Sequence, residues 1–559
     1  MSNQPKKARI RKACDLCHQK RVKCSGGLPC ASCGLIKVEC TYNRDEKKRG
    51  RASDNYPKEI RKRKSKIILE SKKQDILRLV LNASPHKDFV LGSTKYQNIQ
   101  TISDDLQYLG IPFEVADELY QFYFDDQYFP VSKAFTVLRR NAMLNGTRLI
   151  KKSLVLVILL SSALQSDNRF FLGSSREYYC QAMYRMIQEK LPDNHNFFEF
   201  DDFIVLVHFA YLMPWLSYPI DSAYWWEFSV EIAHKLQLNN EDIYLDEEKK
   251  EERRRGWWSL YLLDRSVGLA FNMASKITDS SCYNMYLPCD ETLWSTTSNP
   301  IKPAHLDPSR QKFIDYDKVS DGLYGWFIPI CGIFGKYIEF RSEINQIKKI
   351  HLKQQLKEIQ NRNLNAIQKY QSEIPYIESS IRQGTAKLDM YYARYINLAL
   401  TFVVESEERS HTFGELSNGM SQDQFEKLSD CIDILQEIAK TDVHFQRYPY
   451  IIGVYLFSVG VSVLSITNDI NEINQETVTK INKFKYLVNI LVRVIELDIL
   501  LFPAEFLKII RNYLIWAVKD CDNLILLSDY MDQFKANTIK RQDTLRAFSW
   551  AAGGHGIAV

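Results

Sequence analysis

Residues 13–40 read ACDLCHQKRVKCSGGLPCASCGLIKVEC, and this stretch holds six of the 12 cysteines of the 559-residue chain. The spacing Cys14-x2-Cys17-x6-Cys24 is repeated as Cys30-x2-Cys33-x6-Cys40, so the stretch is an internal duplication. The N-terminus, MSNQPKKARIRKAC, has no apolar segment of the kind that directs secretion. We therefore expect a soluble intracellular protein whose clustered thiols are reduced and bind metal rather than form disulfides.

The number of thiols in each half indicates how metal is held. A structural zinc ion takes four ligands, whereas each half supplies three thiolates. Six sulfurs complete two tetrahedra only if two of them bridge both ions. The symmetric solution makes Cys14 and Cys30 the bridging ligands, and the terminal ligands are then Cys17, Cys24, Cys33 and Cys40. The sequence thus predicts two zinc ions per chain, and metal binding supplies most of the folding free energy of so short a segment.

Charge is distributed unevenly along the chain. Residues 1–75 carry 22 Lys/Arg and 8 Asp/Glu, a net +14, whereas the remaining residues carry 51 and 60, a net −9. A basic head on a mildly acidic body is typical of a protein that contacts a polyanion at one end. A solvated basic tail is the alternative on charge alone.

The cysteine spacing, together with Asp15, the basic run ending at Lys23 and Pro29 before Cys30, resembles the fungal zinc binuclear cluster. This cluster is the DNA-binding module of a large class of fungal transcription factors, so the resemblance implies a nuclear protein that binds double-stranded DNA. A short helix over 15–22 is expected to begin at Asp15. The resemblance places Lys20 and Arg21 at base edges and implies a CGG-type half-site, since basic side chains read guanine O6 and N7. Lys23 is expected to contact phosphate.

The segments around the cluster are polar or basic. A basic arm over 1–13 precedes it, and the linker over 41–57 has no apolar period. Residues 58–82 favour a basic helix that could dimerise the protein as a coiled coil, but their heptads are poor, so a monomer remains open. One set of basic residues could act as a nuclear import signal or make extra phosphate contacts, and plain solvation is the alternative. The set consists of Lys47, Lys48, Arg49, Arg51, Arg61, Lys62, Arg63 and Lys64.

The rest of the chain reads as a large all-α regulatory domain over 100–530, followed by a C-terminal tail over 531–559. Apolar residues recur at three- and four-residue steps, and alternating strand patterns are scarce. The fold class is therefore mostly α. Helices are predicted over 114–124, 153–165, 176–190, 201–212, 224–236, 247–271, 348–371, 387–406, 423–440, 450–466, 481–499 and 503–519.

Residues 247–294 are the most distinctive part of this body. Arginines precede the paired Trp257 and Trp258, and Asp264 and Gly268 follow on the face of Trp257. This pattern resembles the fungal-specific regulatory region, or middle homology region, of the same transcription factors. The two tryptophans are expected in the core, and Arg254 and Asp264 are expected to form a partly buried pair. The six cysteines outside the cluster are expected to be small core residues.

No catalytic signature accompanies these features. The chain has no P-loop, G-x-G-x-x-G, H-E-x-x-H or G-x-S-x-G motif, so we expect no enzyme. A sequence-specific transcription factor for RNA polymerase II genes is the favoured function, with co-regulators or transcription machinery as partners, a homodimer left open and no membrane. Similarity to maltose, sucrose and xylan activators suggests carbohydrate-utilisation genes. The alternative is a thiolate zinc or redox sensor that reads no DNA sequence.

Overall fold

The structure is a computed structural model of the chain. It describes residues 13–19, 24, 26–30, 33, 40–42, 91–124, 137–171, 175–213, 216, 221–243, 245–296, 300–307, 310, 312, 323–342, 350–351, 354–362, 365, 383–405, 420–443, 445, 449–468, 470–501, 504–527, 529–548 and 556–557. The chain divides into two compact units, Met1–Ala83 and Ser84–Val559. The described part of the first unit contains one short helix, α1, Asp15–Gln19.

The second unit is built from helices. Its α-helices are α2 Gln97–Gln100, α3 Ser103–Leu109, α4 Phe113–Tyr123, α5 Arg140–Leu144, α6 Lys152–Ala163, α7 Ser175–Lys190, α8 Phe200–Leu212, α9 Asp221–Lys235, α10 Glu247–Phe271, α11 Glu291–Thr296, α12 Leu323–Ser342, α13 Gln383–Glu405, α14 Gln422–Thr441, α15 Pro449–Ser465, α16 Gln475–Leu501, α17 Glu505–Leu526 and α18 Met531–Leu545. Among the described residues the only β-pairing is a single antiparallel bridge between Tyr286 and Lys312. The prediction of a mostly α fold is confirmed.

The first half of this unit packs around α6. This helix is the apolar run that the sequence shows from Ser153, and all of its residues except Lys152 are buried. Helices α4, α7 and α8 pack against α6, and α9 then packs on α8. A helix that is apolar all round must be covered on every side, so α6 forms the centre of this half.

Helix α10 connects the two halves, since it packs against α9 and α12. It begins where the Asp246 side chain accepts a hydrogen bond from the Lys249 N–H at 2.9 Å. It ends at Phe271, and the next residue, Asn272, takes the left-handed conformation with φ 54°. Asparagine tolerates this region better than most residues, which allows the chain to leave the helix here.

The second half packs α13, α16 and α17 around the apolar helix α15. Helix α18 then covers α17, where Arg541 forms a buried ion pair with Asp520. This helix falls within the predicted tail over 531–559, and α2 begins before residue 100. The helical unit therefore extends beyond the predicted limits of 100–530 at both ends.

Residues near the end of the chain contact α10. The Ile557 N–H donates to the Ala270 carbonyl at 2.8 Å, in the last turn of α10. Gly556 has φ 62°, and a Cβ added there would lie 2.1 Å from the Ala270 oxygen. Only glycine allows so close an approach of the two backbones.

Candidate metal centre and nucleic-acid interface

The six clustered cysteines form a separate small core. All six side chains are buried, and the partly buried Ala13, Leu16 and Tyr42 pack against them. Every cysteine is a free thiol. The sulfurs are therefore gathered in one place without disulfides, as a metal centre requires.

The sulfurs lie in two overlapping groups of four. Cys14 and Cys30 belong to both groups, and within each group all four sulfurs lie within 4.8 Å of one another. The Cys14 and Cys30 sulfurs are 3.6 Å apart, and so are those of Cys14 and Cys33 and those of Cys17 and Cys30. Sulfurs about 2.3 Å from a tetrahedral zinc ion are separated by roughly 3.8 Å, so the residues present fit zinc.

Backbone N–H groups support the sulfurs in a repeated pattern. The Cys17 N–H points at the Cys14 sulfur at 3.4 Å, and the Cys33 N–H points at the Cys30 sulfur at the same distance. The Cys14 N–H lies 3.5 Å from the Cys24 sulfur, and the Cys30 N–H lies 3.3 Å from the Cys40 sulfur. The duplication in the sequence is thus also a duplication of geometry.

The thiols differ in acidity because their surroundings differ. The hydrogen bond from the Cys33 N–H lowers the pKa of Cys30 to about 6, since it stabilises the thiolate. The hydrogen bond with the Cys14 thiol raises the pKa of Cys17 to about 12. Six neighbouring thiols cannot all ionise without positive charge, and a bound cation supplies it.

The two ends of the module are joined by polar contacts. The Asp15 N–H donates to the Thr41 carbonyl at 2.8 Å, and the Thr41 hydroxyl donates to the Asp15 carboxylate at 2.8 Å. The Tyr42 hydroxyl donates to the Gly27 carbonyl at 3.1 Å. Asp15 therefore begins α1 and also ties it to the residues that follow Cys40.

The predicted DNA-contacting residues Lys20, Arg21 and Lys23 lie outside the described residues. The same holds for the dimerisation segment 58–82 and for the candidate import residues, Lys47, Lys48, Arg49, Arg51, Arg61, Lys62, Arg63 and Lys64. Their roles remain predictions. Helix α1 covers 15–19 of the predicted 15–22, and it is the element that leads into Lys20 and Arg21.

In the second unit, a buried charge network surrounds Glu251 of α10. Arg255 and Arg310 lie 3.1 and 2.7 Å from its carboxylate, and Arg254 contacts it as well. The Cys289 N–H also donates to it at 2.7 Å. Burial alone would raise the pKa of Glu251, but the three guanidinium charges outweigh burial and hold it at about 2. The i, i+3 and i+4 spacing of Glu251, Arg254 and Arg255 could have indicated part of this network.

The predicted pair between Arg254 and Asp264 is wrong. Arg254 binds Glu241 through two hydrogen bonds of 2.7 and 2.8 Å, in addition to Glu251. Asp264 instead pairs with Arg265 and accepts the Lys276 N–H at 2.8 Å. Ten residues separate Arg254 from Asp264, about 15 Å along a helix, so one side chain does not reach the other.

Other predictions for this region are confirmed. Trp257 and Trp258 are fully buried, and the indole N–H of Trp258 donates to the Tyr286 carbonyl at 2.9 Å. The cysteines outside the cluster are all buried, as expected for small core residues, namely Cys180, Cys282, Cys289, Cys331, Cys431 and Cys521. Among the described helices, none has the length and apolarity needed to span a membrane.

Two stretches of the chain match known domains. Residues 12–49 match the fungal Zn(2)-Cys(6) binuclear cluster domain, and residues 121–440 match the fungal specific transcription factor domain. The chain belongs to this family of fungal transcription factors. It is therefore a zinc-binding transcription factor and not an enzyme.

The similar curated proteins share only a short segment with the chain. Over 52 residues it is 50% identical to the xylanolytic transcriptional activator xlnR of Emericella nidulans and to that of Aspergillus niger. The identity to the xylanolytic transcriptional activator xlnR of Neosartorya fischeri over the same length is 48%. In each case the alignment covers 9% of this chain and 6% of the relative. The match therefore covers a small part of both proteins.

Proposed function

We propose that the protein is a sequence-specific DNA-binding factor that regulates RNA polymerase II genes through CGG-type half-sites. The observation that carries this proposal is the pair of overlapping four-sulfur groups that share Cys14 and Cys30. Two zinc ions per chain fit this arrangement, and they brace α1. Lys20 and Arg21 follow that helix directly and are suited to guanine edges, while Lys23 is suited to phosphate.

The remaining segments are assigned roles that agree with their charge and composition. The arm 1–13 and linker 41–57 add phosphate contacts, the basic runs at 47–51 and 61–64 direct nuclear import, and residues 58–82 form a homodimer helix. The helical unit meets co-regulators or the transcription machinery. The relatives described as xylanolytic activators support a role in carbohydrate-utilisation genes.

Selection of binding sites by the full-length, zinc-loaded protein tests this proposal. Lys20→Ala or Arg21→Ala is expected to weaken binding by about 1–3 kcal/mol and to blunt discrimination at the CGG-type triplet. Lys47→Ala is the matched control, since loss of a phosphate contact weakens binding to all sequences alike and lowers the salt slope by about one. Unchanged sequence preference in Lys20→Ala and Arg21→Ala would favour the alternative, a zinc or redox sensor that reads no sequence.

A further inference from the structure

A cleft of about 880 Å³ opens beside the first turns of α10, in the second unit. Its size falls in the range of small-molecule sites, roughly 300–1,000 Å³. The aromatic residues Phe209, Tyr211, Trp225 and Trp226 are buried in the core and do not line it. The cleft is instead lined mainly by polar and charged side chains.

The charges that line the cleft balance. Its acidic residues Glu241, Asp242 and Glu247 are matched in number by its basic residues, which are Lys250, Arg254 and Lys312. A phosphate or carboxylate site needs an excess of positive charge, and a site for an apolar molecule needs an apolar lining. Neither class of ligand fits this cleft.

Carboxamides supply much of the remaining lining. Gln237, Asn239, Asn240 and Asn284 each carry both a donor and an acceptor group. The first three each make a hydrogen bond within the protein, which holds them in position while part of their bonding capacity stays open to a ligand. Hydroxyl groups likewise donate and accept at the same atom. A lining of amides and carboxylates therefore complements a neutral molecule that carries many hydroxyls.

The floor of the cleft is preorganised. Arg254 is nearly fully buried, and its contacts with Glu241 and Glu251 hold the guanidinium in place. Glu241 also accepts the Tyr286 N–H at 3.2 Å, which fixes the backbone at the aromatic residue of the cleft. The Lys312 ammonium lies 5.3 Å from the centre of the Tyr286 ring. A fixed floor lowers the ordering cost of binding.

At the rim of the cleft, by contrast, polar side chains are available to bind a ligand. Within the described part of the chain, the side chains of Asp242, Asn284 and His305 make no hydrogen bond, and all three are exposed. We propose that this cleft binds a neutral polyhydroxylated molecule of the sugar class, with Asp242 and Asn284 accepting and donating hydrogen bonds at its hydroxyls. This inference goes beyond DNA reading and does not depend on it.

Isothermal titration calorimetry of the full-length protein with xylose, glucose, maltose and sucrose tests this proposal. At least one sugar is expected to bind the native protein, and Asn284→Ala and Asp242→Asn are each expected to weaken it about tenfold, the cost of one hydrogen bond. Asn145→Ala, at an exposed asparagine that does not line the cleft, is expected to bind as the native protein does.

DNA binding by the same preparations keeps the two proposals apart. Both cleft variants are expected to retain native DNA affinity, and a native midpoint of thermal unfolding, followed by the helical circular dichroism signal, shows that their helical unit is folded. Failure of every sugar to bind at concentrations up to about 10 mM, which would reveal sites with a Kd as weak as the millimolar range, would overturn the sugar site whatever the DNA result. So would equal sugar affinity in the native protein and both cleft variants, or inorganic phosphate displacing the sugar from the cleft.

Discussion

The sulfurs of Cys14 and Cys30 each belong to both four-sulfur groups, whereas that of Cys17 belongs to one. Loss of a shared ligand weakens both metal positions, and loss of a terminal ligand weakens one. We expect Cys14→Ser to bind less zinc per chain than Cys17→Ser, measured by elemental analysis of the purified full-length protein. Cys180→Ser, a buried cysteine of the helical unit, is the control and should keep the zinc content of the native protein. Equal zinc contents in the two cluster variants would contradict the bridging assignment.

Asp498 lies within α16, is fully buried, and has no hydrogen-bond partner for either carboxylate oxygen in the described structure. Burial raises the pKa of this carboxyl well above its ordinary value of 3.8. The folded protein therefore holds a proton that the unfolded chain releases, so the contribution of this carboxyl to stability is greatest below pH 3.8 and falls as pH rises above it.

Asp498→Asn removes this titration. The unfolding free energy of the variant relative to the native protein is expected to rise with pH above about 4, by up to about 1.4 kcal/mol per pH unit. Denaturant unfolding at several pH values from 4 to 8 measures this difference. Asp532→Asn, at an exposed position in α18, is the control and should show no such trend. A flat difference for Asp498→Asn would refute the assignment of a protonated carboxyl.

At the scale of the element, α10 is stabilised by the charges around Glu251. Glu251→Gln leaves Arg254, Arg255 and Arg310 buried with less compensation, so we expect a loss of about 3–5 kcal/mol at neutral pH. Because the pKa of Glu251 is lowered to about 2, its stabilisation is present above pH 4.5 and is lost as pH falls towards 2. The deficit of the variant should therefore shrink in acid.

Denaturant unfolding of the full-length protein at pH 7 and pH 3 measures both effects. Glu437→Gln makes the same change in an exposed pair with Lys440 on α14, and it should cost about 0–1 kcal/mol. If the two variants were equally stable at pH 7, the buried network would not be what holds α10 in place.

At the scale of the molecule, the two units are expected to divide the work. Residues 1–75 carry a net +14 and the remainder a net −9, and the cysteine cluster lies in the first unit. We expect residues 1–90 to select the same triplet as the full-length protein, with an affinity that depends on whether residues 58–82 dimerise. Binding-site selection with both proteins, together with their masses in solution, provides the measurement. A fragment of residues 91–559 that bound the same site by itself would overturn this division.

The sequence alone determined the fold class and the cluster of six cysteines. The cysteine spacing is local, and ligand counting together with the symmetry of the duplication predicts Cys14 and Cys30 as the bridging ligands, the two residues that both four-sulfur groups share. Helices such as α10 follow from periodicity, since Glu247–Phe271 matches the predicted 247–271. These features depend on neighbours in the chain, which a sequence displays directly.

Only the tertiary structure decided which side chains meet across the chain. Helix α12 was not among the predicted helices. Pro329 lacks the N–H that a helix interior needs, yet the buried run over 324–334 retains the helix. Arg310 reaches Glu251 from 59 residues away, Glu241 takes the partner expected for Asp264, and Ile557 returns to Ala270. Such contacts follow from how helices pack, and no local pattern encodes them. A buried charged side chain forms an ion pair with the opposite charge that packing brings within reach, wherever that residue lies in the chain.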